Sequence, residues 1–472
     1  VGLEFKTLLL PQPIDLDYCL HNGPPDDIYG RLVYALYGGP VRAASWVAQL
    51  LGNGPPSAMG LQRAGRCLSA LLGALCTLCI LLIGRMTLDS RSALLAGTLC
   101  ACAPGMVFMF HGVSVNAAMT ALMLACCAAL VRLATTQRER WAHWLLIGAL
   151  FGLAVALKES AYTLLPAGLA GVLSYRLVAR RVDQRSLARF AVRSLAAGAL
   201  AVSVYVGANL ASGSGDEFER HLRYYVPSAQ VTQQREAQQA PQLHSQRQPS
   251  YFPQLISENL GHVAPLGLAL LIAGLVLLLR SPSFARARPL GWLLLCLLLV
   301  QFAAYLLWTP PSVSLFRQNL KGYDVLYLSA LATLPLAAVI VRLARARRPR
   351  LRRPGLVLAV LLAFWGVLGG VAVDAALLHP SAEQPLRSLI NIKGDYTLAR
   401  AGDYDLNLPH WIFERVTIVD QDARYVLAYD RDVERERLLQ AGYGVIDDFD
   451  YPAWVYLALP DFRLQTDLTL LG

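Results

Sequence analysis

Apolar runs of close to twenty residues recur between positions 67 and 375, separated by short polar breaks. About twenty apolar residues are needed to cross a bilayer core of ~30 Å. The pattern predicts ten spans, at 67–84, 93–110, 113–132, 142–157, 160–178, 190–211, 262–280, 290–308, 324–344 and 355–375. The pairs meeting at 111–113 and 158–159 leave almost no loop, so they read as tight hairpins at the membrane surface. After residue 376 the pattern changes. Positions 416–419, 424–429, 443–449 and 454–459 read as strands, and 430–440 as a charged helix ended by Gly442. The expected architecture is an α-helical polytopic membrane protein with a small C-terminal extracytoplasmic α/β domain. Residues 1–66 form a first outer loop, 67–375 the transmembrane domain with an outer loop at 212–261, and 376–472 the terminal domain. Val1 is not a methionine and no signal-like stretch precedes it, so the chain reads as truncated or processed, with an eleventh span expected upstream.

Composition supports the spans. Of 472 residues, 55% are hydrophobic and 16% charged, against about 25% charged in ordinary soluble proteins. A soluble globular chain and a disordered one are both excluded. The net charge of +10 is resolved by position. The connections at 85–92, 132–141, 176–193, 280–289 and 342–354 hold 21 arginines and only three acids, Asp89, Glu139 and Asp183. All five fall on one side if ten spans alternate, which is the positive-inside bias. The tail carries 16 acids and nine basic residues, and belongs on the opposite face. The basic excess therefore reports topology and implies no nucleic-acid partner. Eight of nine cysteines lie in apolar runs and read as small hydrophobes, the Cys76–Cys79 pair included. No metal-ligand cluster and no glycine-rich phosphate loop is present in the sequence, so no metal or cofactor is expected.

Chemistry is expected where outer loops meet span ends, because polar groups there are costly unless paired or solvated. Asp26 and Asp27 lie in the first outer loop and can accept a proton from an acceptor hydroxyl; the plainer reading is turn chemistry beside Gly-Pro-Pro. Arg63 and Arg66 enter the first span, as phosphate clamps or as snorkelling anchors. In the 111–113 hairpin, Ser114 is placed to cap the next helix, with His111 and Asn116 beside it for substrate or for interhelical hydrogen bonds. Lys158 and Glu159 sit between two apolar runs, as a functional pair or a self-neutralising one. Arg220, Arg223, Arg317 and Lys321 put positive charge on the face that topology leaves poor in it, which suits a membrane-anchored phosphate.

In order along the chain, these segments resemble the GT-C superfamily of polytopic glycosyltransferases, nearest to family 39 with its protein mannosyltransferases and aminoarabinose transferases. The resemblance rests on Arg66-x-x-Ser69-Ala70-x-x-Gly73, on the helix ending in APGMVFMFHGVSVN, and on Gly148-x-x-x-Gly152-Leu153-Ala154-x-x-x-Lys158. It implies transfer of a hexosyl or pentosyl group from a polyprenyl-phosphate donor to a lipid or protein acceptor, on the outer face of a bacterial membrane. It implies an Asp in the first loop as base, for which Asp26 or Asp27 is the available residue. Arg63, Arg66, Lys158, Arg220, Arg317 and Lys321 would hold the donor phosphate, with His111, Asn116 and Glu159 lining the substrate. Asn116 stands where the family often has an acid, and Gly322–Tyr323 where it usually has Arg-Tyr. The rival readings are a flippase of lipid-linked sugars and a non-catalytic assembly protein.

Overall fold

The computed structural model describes residues 58–112, 114–136, 140–179, 183–212, 264–307, 326–346 and 367–373, a helical turn at 36–40, the segments 395–401, 416–418, 423–429, 438–447 and 468–471, and isolated positions near 43–50, 256 and 353–364. The helices are α1 (Ala58–Thr87), α2 (Ser90–Cys102), α3 (Pro104–His111), α4 (Val115–Thr135), α5 (Trp141–Leu157), α6 (Leu164–Val178), α7 (Gln184–Ser212), α8 (Ala264–Arg280), α9 (Arg288–Leu307) and α10 (Leu326–Ala344). Short 3-10 turns at Glu159–Thr163 and Pro282–Ala287 precede α6 and α9. Each of the first nine expected spans coincides with helix, and the tenth is helical at 367–373. Among the described residues, six helices are long and apolar enough to cross a membrane, and a bent pair makes up to seven. The chain is an integral, multi-pass membrane protein. Helix α5, at 17 residues, is about 25 Å long, slightly under the bilayer core.

One expectation is corrected. The span at 93–110 is not a single helix but α2 and α3, bent by 54°. The cause is Pro104, which lacks an N–H and forces the residue before it out of helical geometry; Ala103 has φ −63° and ψ 128°. The stretch 367–373 approaches this break closely: a Cβ on Gly370 would lie 2.7 Å from the Cys102 carbonyl oxygen. The core runs through α1, α4, α6, α9 and α10, with α4 and α10 the most enclosed spans.

Three basic connections meet at one end of the bundle. The Arg286 Nε donates to the Met86 carbonyl at the end of α1 (2.9 Å), and Arg345 after α10 pairs with Asp89 (3.0 Å). Asp89 also caps α2, accepting from the N–H groups of Arg91 (2.9 Å) and Ser92 (3.0 Å). Burial alone would raise the Asp89 pKa. The Ser92 N–H, Arg345, the Arg91 N–H and the Ser92 hydroxyl together outweigh it and hold the carboxyl below its ordinary value. The stability it adds is therefore complete above the ordinary aspartate range and is lost as pH falls through the lowered value. Asp89→Ala is expected to cost about 1 kcal/mol, the usual worth of an N-cap. Thermal unfolding in detergent checks this, and the deficit should vanish in acid.

The C-terminal strands β1 (Tyr396–Ala401), β2 (Val416–Ile418), β3 (Tyr425–Tyr429), β4 (Val445–Asp447) and β5 (Leu468–Leu471) form one sheet in the order β2-β1-β3-β5-β4. β1 pairs parallel with β2 and β3, whereas β5 pairs antiparallel with β3 and β4. β2, β3 and β4 match expected strands; β1 and β5 were not expected, and 454–459 lies outside the described residues. The expected stop at Gly442 is present. Gly442 takes φ +97°, and the Tyr443 N–H reaches back to the Leu438 carbonyl (3.1 Å), a left-handed helix end that glycine enters without strain.

Candidate active site

The site is built where two helix breaks face each other. Helix α5 ends at Leu157, and Lys158 takes an extended backbone (φ −160°, ψ 126°) before the 3-10 turn. Opposite, α3 ends at His111, and Ser114 is extended (φ −139°, ψ 137°) before α4. The Ser114 hydroxyl accepts from the Asn116 N–H (3.2 Å), so the predicted cap is formed. This cap fixes Asn116 one residue inside α4, where it is completely buried. Lys158, 2% exposed, crosses from α5 and donates from Nζ to Asn116 Oδ1 at 2.9 Å. Two residues 42 apart in sequence thus form one buried polar pair. The amide oxygen accepts one of the three lysine hydrogens and carries no charge of its own.

A second layer positions this pair. The Tyr37 hydroxyl donates to the Ser114 carbonyl (3.0 Å) and lies 3.0 Å from Ser69 Oγ. A phenol has one hydrogen, so with the carbonyl as its acceptor, Ser69 must donate to the Tyr37 oxygen. Burial pushes the Tyr37 phenol up from its usual range, against the smaller opposing effects of Ser69 and Ser114, so it stays protonated. Tyr37 therefore ties the α3–α4 turn to α1. On α1, Arg66, Ser69 and Gly73 are spaced three and four residues apart and share a face. A Cβ on Gly73 would press on Phe110 of α3 (3.0 Å). Arg66 presents a buried Nε with no hydrogen-bond partner among the described residues. Tyr37→Phe leaves the Ser114 carbonyl and the Ser69 hydroxyl short of a partner. It is expected to lower stability by about 1–3 kcal/mol, read as a lowered melting temperature in detergent.

Of the residues selected from sequence, the structure brings Lys158 and Asn116 into contact and places Arg66 on the helix face that carries Ser69. His111 ends α3, on the near side of the same turn. Its Nδ1 donates to the Val107 carbonyl one turn back (2.9 Å), which assigns the proton to that nitrogen. Arg63 lies on α1 and Glu159 in the 3-10 turn, but their side chains are outside the described residues. Asp26, Asp27, Arg220, Arg223, Arg317 and Lys321 lie wholly outside them. Tyr37 and the role of Ser69 were missed. Ser69 did stand in the quoted motif, whereas Tyr37 carries no signal beyond an aromatic in an apolar stretch. Two further buried groups near this end, Thr120 Oγ1 one turn below Asn116 and the Tyr327 hydroxyl on α10, have no geometric hydrogen-bond partner among the described residues. Thr163 donates to the Gln301 side chain, joining the 3-10 turn to α9. Among the described residues, no group of His, Cys, Asp or Glu could hold a metal ion.

Residues 58–206 match a family described as dolichyl-phosphate-mannose-protein mannosyltransferase. The matched segment contains Arg66, Ser69, Asn116, Lys158 and every helix from α1 to α6. The fold is similar to that of ArnT from Cupriavidus metallidurans in the apo state, at 14% identity and a TM-score of 0.51, covering 99% of this chain and 92% of that one. The family match spans 149 of the 472 residues, under a third of the chain. The fold is also similar to that of the Archaeoglobus fulgidus oligosaccharyltransferase in complex with Zn and sulfate, at 15% identity and a TM-score of 0.52. That likeness covers 90% of this chain and 63% of the other. At these identities the structures speak to fold alone. No curated protein sequence matches.

Proposed function

We propose that this protein is a membrane glycosyltransferase of the GT-C superfamily that moves a sugar from a polyprenyl-phosphate donor to an acceptor at the outer face. The carrying observation is the buried Lys158–Asn116 pair at 2.9 Å. A cation enclosed at a span end, next to a neutral amide, is suited to hold the lipid phosphate and to offset the negative charge that builds on it as the glycosidic bond breaks. The acceptor, a lipid or a protein, supplies a hydroxyl or amine to the anomeric carbon. Asp26 or Asp27 is proposed to take its proton, and Arg63, Arg220, Arg317 and Lys321 to add to the phosphate field. Glu159 and His111 are proposed to border the sugar. The five arginine-rich connections are proposed to face the cytoplasm and the C-terminal sheet the outside.

One observation favours a second reading, movement of lipid-linked sugars. The α2–α3 pair is a broken span, a feature of transporters. Purified protein in vesicles, supplied with a labelled polyprenyl-phosphate sugar and a mixed acceptor extract, separates the readings. The transferase produces a labelled acceptor together with free polyprenyl phosphate. Label that crosses the bilayer still attached to its lipid, with no new product, would sink the transferase reading in favour of the flippase.

A further inference from the structure

Helix α5 places Lys158 at one end and Trp141 at the other, about 25 Å apart at the usual rise for its 17 residues. The Trp141 end holds a second unsatisfied polar cluster that sugar transfer does not use. Trp144 is fully buried, yet its indole Nε1 has no hydrogen-bond partner among the described residues. The same holds for His143 Nδ1, and for Ser194 Oγ on α7. Trp144 meets Phe190 edge-on at 5.2 Å, and Ser194 lies one turn beyond Phe190. One turn beyond Trp144, a Cβ on Gly148 would touch the Ala197 carbonyl, so Trp144 and Ser194 sit at the same level of the α5–α7 contact. Two guanidinium groups frame the cluster: Arg176 of α6 lies 5.4 Å over Phe190, and Arg193 lies 5.3 Å over Trp141. Arg176 also donates to the Leu133 carbonyl (3.2 Å). The cap residue of α5, Arg140, makes no side-chain cap bond, so the N–H groups of the first turn add their positive end of the helix dipole.

Buried polar atoms are nearly always paired, and a cluster of orphans calls for a missing partner. Its donors call for an acceptor, and the guanidinium groups beside them favour one that carries negative charge. The connections 132–141 and 176–193 carry nine arginines against Glu139 and Asp183. The flank is apolar and exposed: Leu145, Leu146, Leu177 and Leu195 are 45–74% accessible. An anion with acyl chains fits both surfaces, and a free phosphate fits one. We propose that the α5–α6–α7 junction at the Trp141 end binds the headgroup phosphate of an anionic phospholipid, with its chains along the exposed leucines. Trp144 Nε1 and the Ser194 hydroxyl donate to the phosphate, and Arg176 and Arg193 balance its charge.

The test uses the full chain in nanodiscs of phosphatidylcholine with or without phosphatidylglycerol, read by native mass spectrometry after extraction into detergent. The unaltered chain is expected to retain one phosphatidylglycerol in preference to phosphatidylcholine. Trp144→Phe with Ser194→Ala keeps the ring packing and removes two donors. It is expected to weaken retention about tenfold, the scale of one charge-assisted hydrogen bond. Arg176→Gln with Arg193→Gln should weaken it further. Equal retention by the unaltered chain and the Trp144/Ser194 variant overturns the proposal and leaves these atoms to water. Complete displacement by excess inorganic phosphate also overturns it, since the acyl chains would then add nothing. No outcome depends on sugar transfer, so the proposal stands or falls apart from it.

Discussion

Lys158→Ala is expected to lower sugar transfer about 100-fold or more, the scale of removing one preorganised charge from a developing anion. The protein should still insert and fold. Lys158 is 2% exposed and its Nζ is 2.9 Å from Asn116 Oδ1, so truncation removes the ammonium and takes a buried donor from the amide. The lost bond is expected to cost about 1–3 kcal/mol of stability. Lys158→Met separates the two effects, because it keeps the stem's volume and lacks the charge. Transfer by the methionine variant should be as low as by the alanine variant, while its melting temperature recovers in part. Single-turnover measurement with a labelled polyprenyl-phosphate sugar is the check. Near-normal transfer by a folded methionine variant would remove Lys158 from the chemistry and reduce the pair to a packing device.

The membrane architecture was legible because a span is a one-dimensional signal. Twenty apolar residues must cross, and a polar break must follow, so nine of ten spans could be set against described helices. The break inside 93–110 was missed for the same reason. Hydropathy sums over Pro104 without registering that its ring forbids helical geometry at Ala103. The site was legible only residue by residue. Asn116 and Lys158 each stood out as a polar group at a span end, but nothing in one sequence pairs positions 42 apart. Tyr37 illustrates the limit. Its role comes from where the α3–α4 turn happens to pass, and an aromatic in LVYALYGG reads the same whether or not a carbonyl lies 3.0 Å away. The strand β1 escaped notice because YTLARA alternates poorly. Its pairing with β2 and β3 depends on parallel neighbours that lie further along the chain.

The Gly148-x-x-x-Gly152 motif leading to Lys158 has a physical reason in the structure. A Cβ on Gly148 would stand 2.5 Å from the Ala197 carbonyl oxygen, and one on Gly152 would stand 2.5 Å from that of Ala201. Both contacts are with the backbone of α7, which cannot rotate aside as a side chain can. Small residues four apart let two helices approach closely where no hydrophobic drive exists between them in lipid. Gly148→Val or Gly152→Val must push α5 off α7, and each is expected to cost about 3 kcal/mol or more as an overpacked contact. Because Lys158 follows directly on the end of α5, the displacement at Gly152 is carried to the site within two turns. Gly152→Val should therefore lose transfer as well as stability, whereas Gly148→Val, nearer the Trp141 end, should lose stability first. Gly198→Ala on α7 is the control, since a Cβ there meets nothing within 4 Å. It should be neutral or stabilising by about 0.5–1 kcal/mol, the helix-propensity gain of alanine over glycine. Melting curves of the four proteins in one detergent decide the matter. If Gly152→Val melts with the control, the close approach of α5 to α7 does not hold the bundle together, and the glycines need another explanation.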